Sequence, residues 1–286
     1  MSSRIRHQFN RSSAGAYDNH AHVQRGMADR LAKSLKGRVR KDDTEGADIL
    51  EIGCGTGTLT EILAGDWLRA SITALDIAPE MIKAAEQRVT SSTANPIESC
   101  SSLHDRLRFL AADVELWAAD VPSASYDLIV SNACFQWLSN PGQTLCHLRR
   151  LLRTGGLLAF STFGPHTFYE LHEAFNEAYR ASGMKPQRHG LSFLATAQWK
   201  HLLKESGFSS IQLERSIQTE TYQSARDFLH SVKAVGASTT EASSMRGLSP
   251  RRLFSDMYKE YEAKFRIEGG VAASYDLLLI QASADG

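Results

Sequence analysis

The stretch LEIGCGTG, residues 50–57, is the part of the sequence that decides the fold. It follows a short run of β-forming residues and leads directly into a helical pattern. Glycines at G-x-G-x-G spacing let the backbone turn tightly and approach a ligand closely, while the following helix offers unpaired N–H groups at its N-terminus. Nineteen residues after Gly57, the next strand pattern ends at Asp76, where a carboxylate can accept both ribose hydroxyls of an adenosine. The loop and the acid together predict a nucleoside-binding site.

The position of the third glycine separates two kinds of nucleoside site. A dinucleotide-binding loop has G-x-G-x-x-G spacing and brings a pyrophosphate to the helix N-terminus. Here the spacing is G-x-G-x-G, and Glu51 stands two residues before the first glycine. An acid at that position disfavours a phosphate and favours a cationic or zwitterionic ligand.

Short β-rich runs alternate with helical runs from about residue 47, a pattern typical of a parallel sheet with helices packed on it. The strand patterns cover residues 47–53, 70–77, 106–113, 125–132 and 156–163, and the helical patterns between them cover 58–68, 79–89 and 141–152, the last ending at the turn Thr154-Gly155-Gly156. The later patterns predict helices near 167–181, 195–205, 224–235 and 249–264, and strands at 210–220 and 271–282. Two polar stretches predict an inserted loop at 90–102 and a flexible connection at 236–247.

The composition is that of an ordinary globular protein. The chain has 286 residues, 42% of them hydrophobic, and 32 basic residues balance 32 acidic ones. A net charge of zero gives no global field that would attract nucleic acid or an anionic membrane. The four cysteines never approach C-x-x-C spacing, so we expect neither a zinc site nor a disulfide framework, and a cytoplasmic location. The basic, serine-containing start leaves a mitochondrial presequence open as the alternative to a basic N-terminal helix.

Two further motifs follow the next strand patterns, Ala112-Asp113-Val114 after the third and Ser131-Asn132 after the fourth. Together with E-x-G-x-G-x-G and Asp76, they resemble the class I S-adenosylmethionine-dependent methyltransferases over roughly residues 45–165. The resemblance implies an α/β fold with a Rossmann-like seven-stranded sheet, mostly parallel with an antiparallel last strand. Helices from the N-terminus and from inserted segments would cover this sheet.

The same resemblance implies S-adenosyl-L-methionine as the cofactor and places its binding residues. The backbone at Gly53 and Gly55 would carry the methionine part, and Gly57 would allow the turn. Asp76 would hold the ribose, and Asp113 would accept from the adenine amino group. The other implied cofactor positions are Glu51, Cys54, Ile77, Met81, Ala112, Val114 and Asn132. We expect no metal site.

Outside this core the sequence resembles a narrower family. Residues 9–31, FNRSSAGAYDNHAHVQRGMADRL, are similar to the N-termini of the malonyl-acyl-carrier-protein O-methyltransferases of biotin synthesis, which run Phe, small residues, Tyr-Asp and then Val-Gln-Arg-x-Met-Ala. The segments 131–145, 151–171 and 231–238 agree with the same family. The sequence departs from the family at Cys134-Phe135, where a small or aliphatic residue is usual, and in the length of the 90–102 insertion.

That family implies methylation of the free carboxylate of malonyl-acyl carrier protein. A carboxylate is ionised at pH 7 and is a competent nucleophile, so the reaction needs positioning and removal of water instead of a general base. We expect Tyr17 at the mouth of the site, with Gln136 and Trp137 along the acceptor pocket, to orient the reacting groups. The cation that holds the malonyl carboxylate is left open among His166, Arg188, His189 and Lys233.

Two other functions stay open at this point. One is a methyltransferase on a free small acid, such as an aconitate-like metabolite, and the other is a non-methylating assembly factor or hydroxylase on the same fold. We expect a monomer with an acidic carrier protein as its partner and with no nucleic-acid or membrane partner. The basic residues expected to dock the carrier are Lys185, Arg188, Lys200, Lys204, Arg226 and Lys233.

The patterns also predict a four-part organisation. Residues 1–40 would form an N-terminal helical cover, and 41–165 the cofactor-binding core. Residues 166–270 would supply substrate-covering helices and a late strand, and 271–286 the last strand, which rejoins the core sheet.

Overall fold

A computed structural model describes residues 2–12, 16–37, 46–92, 105–187, 189–236 and 250–285. The N-terminus forms three helices, α1 (Ser2–Ser12), α2 (Ala16–His20) and α3 (His22–Leu35). Strands and helices then alternate as β1 (Asp48–Ile52), α4 (Thr58–Asp66), β2 (Ser71–Asp76), α5 (Pro79–Ser92), β3 (Leu107–Ala111), α6 (Val114–Asp120), β4 (Tyr126–Asn132), α7 (Pro141–Leu151) and β5 (Leu152–Phe163). The later elements are α8 (Tyr169–Ala181), α9 (Thr196–Glu205), β6 (Ser209–Tyr222), α10 (Ala225–Ala234), α11 (Pro250–Lys264), β7 (Arg266–Ile267) and β8 (Gly270–Ser283). None of the helices in the described ranges is long and apolar enough to cross a membrane.

The strands form one sheet in the order β3-β2-β1-β4-β5-β8-β6, with β7 paired to β8. Strands β1 to β5 run parallel to one another. Strand β8 runs antiparallel to β5, because the Gly155 N–H bonds to the Ala284 carbonyl while the Gly164 N–H bonds to the Asp276 carbonyl. The predicted fold class is therefore confirmed, and β7 is a two-residue addition that the sequence pattern did not indicate.

The middle strands of the sheet are apolar on both faces. Ile49 and Leu50 of β1 and Leu128 and Ile129 of β4 are completely buried. A continuous apolar run of this kind is typical of a parallel strand that has helices on both sides. Because parallel strands joined through helices end at the same edge of the sheet, the loops after β1, β2, β3 and β4 come together there and form the candidate site.

The predicted boundaries match the observed ones closely except at the end of α7. The chain leaves α7 at Leu151 and enters β5 at once, so the predicted turn at residues 154–156 lies inside the strand. Gly155 takes a φ of 76° there, and the register between β4 and β5 shifts between Tyr126 and Leu128. Residues 90–92 of the predicted loop belong to α5, and the rest of that loop and residues 237–247 lie outside the described residues.

The chain divides into two compact units. The first comprises Met1–Thr162, Ala195–Glu214 and Leu278–Gly286, and the second comprises Phe163–Leu194 and Arg215–Leu277. In the second unit the carboxylate of Asp276 is completely buried and accepts a hydrogen bond from Arg215 Nε at 2.7 Å. The backbone N–H of His166 donates to the same carboxylate at 3.1 Å. Burying a carboxylate is costly unless it has a charged or hydrogen-bonding partner, and Asp276 has both.

Candidate active site

The three glycines of the loop after β1 all take left-handed backbone conformations, with φ of 71° at Gly53, 54° at Gly55 and 85° at Gly57. A Cβ on Gly53 would lie 2.4 Å from the Cys134 sulfur, and one on Gly57 would lie 2.8 Å from the Ala85 Cα. A Cβ on Gly55 would meet nothing within 4 Å. Gly53 and Gly57 are therefore required by close packing, whereas Gly55 faces open space.

Asp76 joins the end of β2 to this loop. One of its carboxylate oxygens accepts from the Gly55 N–H at 2.9 Å, and the other accepts from the Ala78 N–H at 2.8 Å. The Gly53 N–H also reaches β2, donating to the Leu75 carbonyl at 2.7 Å. Burial raises the pKa of Asp76 from its ordinary value of 3.8 to about 6, although the backbone N–H donors limit the rise.

A cavity of about 720 Å³, part of it open to solvent, lies at this edge of the first unit. Three acids line it, Asp76, Asp113 and Glu115, and the described residues around it include no lysine, arginine or histidine. The rest of the lining is Ile5, Phe9, Tyr17, Ile52, Gly53, Gly55, Leu75, Ile77, Met81, Ala112, Val114, Asn132, Ala133, Cys134, Trp137 and Leu138. An apolar wall with a few convergent acids suits a ligand that has a large apolar body and a positive charge.

A second cavity of about 360 Å³, also partly open to solvent, lies beside the same loop. It shares Tyr17, Gly53, Gly55 and Asn132 with the larger cavity. Arg25 of α3 supplies a cation to its lining, and Glu51 of β1 supplies an acid. Glu51 accepts a hydrogen bond from the Thr60 hydroxyl at 2.6 Å. Burial raises the pKa of Glu51 to about 7, and the hydrogen bond from Thr60 opposes that rise. A cavity with one cation and one acid in its lining suits a zwitterionic group.

The N-terminal helices are fastened to the glycine loop through Asp18. Its carboxylate accepts from the Thr56 hydroxyl at 2.7 Å and from Arg88 Nη2 at 2.5 Å. Arg88 also donates through Nε to the Thr56 carbonyl at 2.8 Å. Arg25 donates to the backbone carbonyl of Asp18. Residues from α2, α3, the loop and α5 thus form one hydrogen-bonded group beside Tyr17.

Asn132, the last residue of β4, lines both cavities. Its side-chain N–H donates to the Gln24 carbonyl of α3 at 2.9 Å, and its side-chain oxygen accepts from the Ser161 hydroxyl at 2.5 Å. With its amide engaged on both sides, Asn132 ties β4 and β5 to the N-terminal helices.

Asp113 and Glu115 shape the end of the larger cavity. The Asp113 carboxylate caps α6 by accepting from the Glu115 N–H at 3.0 Å. The Glu115 carboxylate accepts from the backbone N–H groups of Ser139 at 3.0 Å and Asn140 at 2.6 Å. Both acids are therefore held in place by the backbone while they line the cavity.

The three residues predicted to orient the reacting groups are placed differently. Tyr17 lines both cavities, and Trp137 lines the larger one. Gln136 is not among the lining residues, because its amide N–H donates to the Ala133 carbonyl at 2.7 Å and its carbonyl accepts from the Thr162 hydroxyl at 2.9 Å. These bonds hold Gln136 in the turn after β4.

Two thiols border the cavities. Cys54 lines the smaller cavity and Cys134 the larger one. Burial, and after it the negative charge of Asp76, raises the pKa of both thiols, that of Cys134 to about 12. At neutral pH both side chains are therefore protonated and act as small apolar groups.

The structure brings most of the predicted site residues together. Besides Tyr17 and Trp137, the predicted positions that line one or both cavities are Glu51, Gly53, Cys54, Gly55, Asp76, Ile77, Met81, Ala112, Asp113, Val114 and Asn132. Gly57 stands at the N-terminus of α4 and lines neither cavity. The lining residues that the sequence analysis missed include Ile5, Phe9, Gln24, Arg25, Thr56, Thr58, Glu115 and Leu138.

Of the four residues left open as the carboxylate-binding cation, the three that the structure describes line neither cavity. His166, His189 and Lys233 lie in the second unit, and Arg188 lies outside the described residues. His189 is stacked on Phe175 with ring centroids 3.8 Å apart, and burial lowers its pKa.

Comparison with known sequences identifies the chain. A family model described as a methyltransferase domain matches residues 20–213. A protein of Paenibacillus sp. (strain JDR-2) named malonyl-[acyl-carrier protein] O-methyltransferase is 57% identical over 97% of each chain. A protein of the same name from Brevibacillus brevis is 39% identical over 94% of this chain and 92% of its own.

Solved structures share the fold at low sequence identity. The YcgJ protein of Bacillus subtilis superposes with a TM-score of 0.60 at 13% identity, covering 91% of this chain and 99% of its own. A phosphoethanolamine N-methyltransferase of Haemonchus contortus in complex with S-adenosyl-L-methionine gives 0.53 at 16% identity, over 90% of this chain and 53% of its own. The [4+2]-cyclase SpnF gives 0.54 at 16% identity, over 90% of this chain and 80% of its own.

The glycine loop, the acid after β2 and the matched domain define a methyltransferase. Within that class, the chain belongs to the malonyl-[acyl-carrier protein] O-methyltransferase family, as its identity to the Paenibacillus and Brevibacillus proteins over nearly their full lengths demonstrates. The predicted family is therefore confirmed.

Replacing Asp76 with Asn tests the titration of this carboxyl. Because its pKa is raised, the folded protein holds the proton more tightly than the unfolded chain does, so the contribution to stability is full below about pH 4 and is lost as the pH rises through about 6. The difference between the folded and ordinary pKa values corresponds to about 3 kcal/mol. We expect the free energy of unfolding of the wild type to fall relative to D76N between about pH 4 and pH 7, by about this amount, in urea titrations. Parallel pH profiles for the two proteins would contradict the raised pKa.

Proposed function

We propose that this chain transfers the methyl group of S-adenosylmethionine to the free carboxylate of a malonyl thioester carried by an acyl carrier protein, giving the methyl ester. The observation that supports the methyl donor is the acid-lined cavity at the glycine loop, together with the neighbouring cavity that has Arg25 and Glu51 in its lining. The name and the 57% identity of the Paenibacillus relative support the acceptor half. Methyltransferase activity and S-adenosylmethionine as cofactor, both predicted from the sequence, are confirmed by the family to which the chain belongs.

The described residues fit this cofactor, which supplies a methyl group on a positively charged sulfonium when bound. Gly55 borders both cavities and leaves open space where any other residue would place a Cβ. All four of Asp76, Asp113, Ile77 and Met81 line the larger cavity. In this proposal Asp76 would hold the ribose and Asp113 the adenine amino group, and Ile77 and Met81 would pack on the adenine face. The negative charge of the larger cavity favours a cationic ligand over a phosphate.

We assign the smaller cavity to the methionine end of the cofactor. Arg25 can donate to a carboxylate, and Glu51 can interact with an ammonium group. A charged guanidinium in a partly buried cavity forms stronger hydrogen bonds than a neutral donor would. This assignment gives Arg25, which the sequence analysis did not select, a direct role in binding.

The acceptor requires no general base. A malonyl carboxylate is ionised at neutral pH, and the chain must only align it with the methyl group and exclude water. Ile5, Phe9, Trp137 and Leu138 provide the apolar wall that would exclude water from the larger cavity.

Tyr17 is the residue we propose to orient the reacting groups. It lines both cavities, at the point where the methionine and acceptor parts would meet. Burial, together with the charges of Asp76 and Asp18, raises the pKa of its hydroxyl, so the group remains a hydrogen-bond donor across the physiological range. A neutral donor at this position can bind the acceptor carboxylate without competing for the methyl group.

A free small acid remains the alternative acceptor. It differs from the proposed malonyl thioester in that it does not require a carrier protein. The fold does not decide between chemistries, since the cyclase SpnF has the same fold at a TM-score of 0.54. The family name refers to a carrier protein, and this favours the thioester. The monomeric state, the cytoplasmic location and the four-part division of the chain stay predictions.

The acceptor is tested by methyl transfer from cofactor labelled in the methyl group. The protein is offered malonyl-carrier protein, malonyl-coenzyme A, free malonate or free aconitate in parallel. We expect a base-labile methyl ester on malonyl-carrier protein and none on the free acids. Equal labelling of free malonate or aconitate would favour the alternative, and labelling of no acceptor would overturn the proposal.

Replacing Tyr17 with Phe removes the orienting hydroxyl and keeps the ring. A hydrogen bond to a charged group contributes about 1.5–3 kcal/mol, so we expect kcat to fall about 10- to 100-fold. Cofactor affinity measured by calorimetry should change by less than about twofold, since the hydroxyl is assigned to the acceptor and not to the adenosine. An unchanged kcat would mean that Tyr17 only packs α2 over the site.

Arg25 and Arg30 lie on the same helix, α3, and form a matched pair. Arg25 lines the smaller cavity, whereas Arg30 is exposed and pairs with Glu214 at 3.1 Å. Loss of charge-assisted hydrogen bonds should make Arg25→Ala bind the cofactor about 10- to 100-fold more weakly. Arg30→Ala should bind it normally. If both variants bound the cofactor with equal affinity in calorimetry, the assignment of the methionine end to the smaller cavity would be wrong.

A further inference from the structure

We infer that the exposed face of α1 is the docking surface for the acidic carrier protein that brings the acceptor to the larger cavity. This inference rests on the proposed function and adds the place where the partner binds. It differs from the sequence-based expectation, which put docking on basic residues of the cover region.

One face of α1 lines the larger cavity. Ile5 and Phe9 line it, and the Phe9 ring meets the edge of Trp137 with centroids 5.3 Å apart. The helix is also held at its C-terminal end, because the Asn10 side-chain oxygen accepts from the Glu80 N–H of α5 at 3.2 Å. Helix α1 is therefore part of the cavity wall.

The remaining surface of α1 is basic and exposed. Arg4, Arg6, His7 and Arg11 are all exposed, and α1 contains no acidic residue. The three arginines form no ion pair with any described residue. Some exposed basic residues elsewhere in the first unit have acidic partners, such as Lys36 with Asp66 and Lys83 with Glu80. Among the described residues, therefore, no acidic side chain pairs with the arginines of α1, although the whole chain has a net charge of zero.

Charge and position together identify the partner. Acyl carrier proteins are strongly acidic, and an exposed basic helix would attract them over long range and raise the association rate. A carrier seated on α1 would hold its thioester beside the wall formed by Ile5 and Phe9. A membrane surface fits less well, since the apolar residues of α1 face the cavity and are not available for insertion between lipids.

The test reverses the charge of α1 in the full chain, as R4E/R6E/R11E. Its kcat/KM is measured with malonyl-carrier protein and with malonyl-pantetheine, a small acceptor that carries no phosphate. We expect a fall of about tenfold or more with the carrier protein and less than about twofold with malonyl-pantetheine. The salt dependence of the carrier reaction should weaken in the variant. The single variants R4Q, R6Q and R11Q should give smaller falls in the same direction, and they keep the test valid if the triple variant does not fold.

The matched control is K200E/K204E on α9, which changes two exposed lysines of the same unit that line neither cavity. It should leave both reactions unchanged, and a loss of carrier activity equal to that of the α1 variant would overturn the assignment. An equal fall with both acceptors in the α1 variant would also overturn it. So would charge-dependent binding of the wild type to phosphatidylserine vesicles with unchanged carrier kinetics in the variant. If the wild type methylates neither acceptor, the proposed function itself fails.

Discussion

Hydrogen bonds from the Gly55 and Ala78 N–H groups to the Asp76 carboxylate join the end of β2 to the loop after β1. They hold the loop in its left-handed turn and so keep the Gly55 backbone against both cavities. The same bonds satisfy a carboxylate that burial would otherwise make costly to ionise. The remaining residues of the site are arranged around this junction, because β1 and β2 are neighbours in the sheet and end at the same edge.

Helices α1 and α2 contribute cavity-lining residues that precede the matched methyltransferase domain. The domain match begins at residue 20, whereas Ile5, Phe9 and Tyr17 precede it and line the larger cavity. Asp18 fastens this segment to the glycine loop through Thr56 and Arg88, so the two parts of the cavity are mechanically connected.

Most of the residues that the sequence analysis selected line the two cavities, because they lie at or just after the ends of parallel strands, and the topology brings those ends together. The sequence did not predict the wall formed by α1, since helical periodicity identifies an apolar face without saying what that face covers. Gln136 and Trp137 show that sequence patterns alone do not predict where an individual side chain points. They are adjacent in one short turn, yet Trp137 reaches the cavity while Gln136 bonds to Ala133 and Thr162, a difference set by side-chain direction. Arg25 belongs to a motif noted in the sequence, but its role depends on a cavity that only the folded chain defines.

The raised pKa values of Cys54 and Cys134 make these thiols less reactive toward a methyl donor. A sulfonium methyl donor is an electrophile, and a thiolate is a stronger nucleophile than a carboxylate. Cys54 and Cys134 border the cavities assigned to that donor, but burial and the charge of Asp76 keep them protonated at neutral pH. Burial is the larger cause of this effect, and the carboxylate proposed to hold the ribose adds to it, so sulfur beside the methyl donor is kept in its less nucleophilic thiol form.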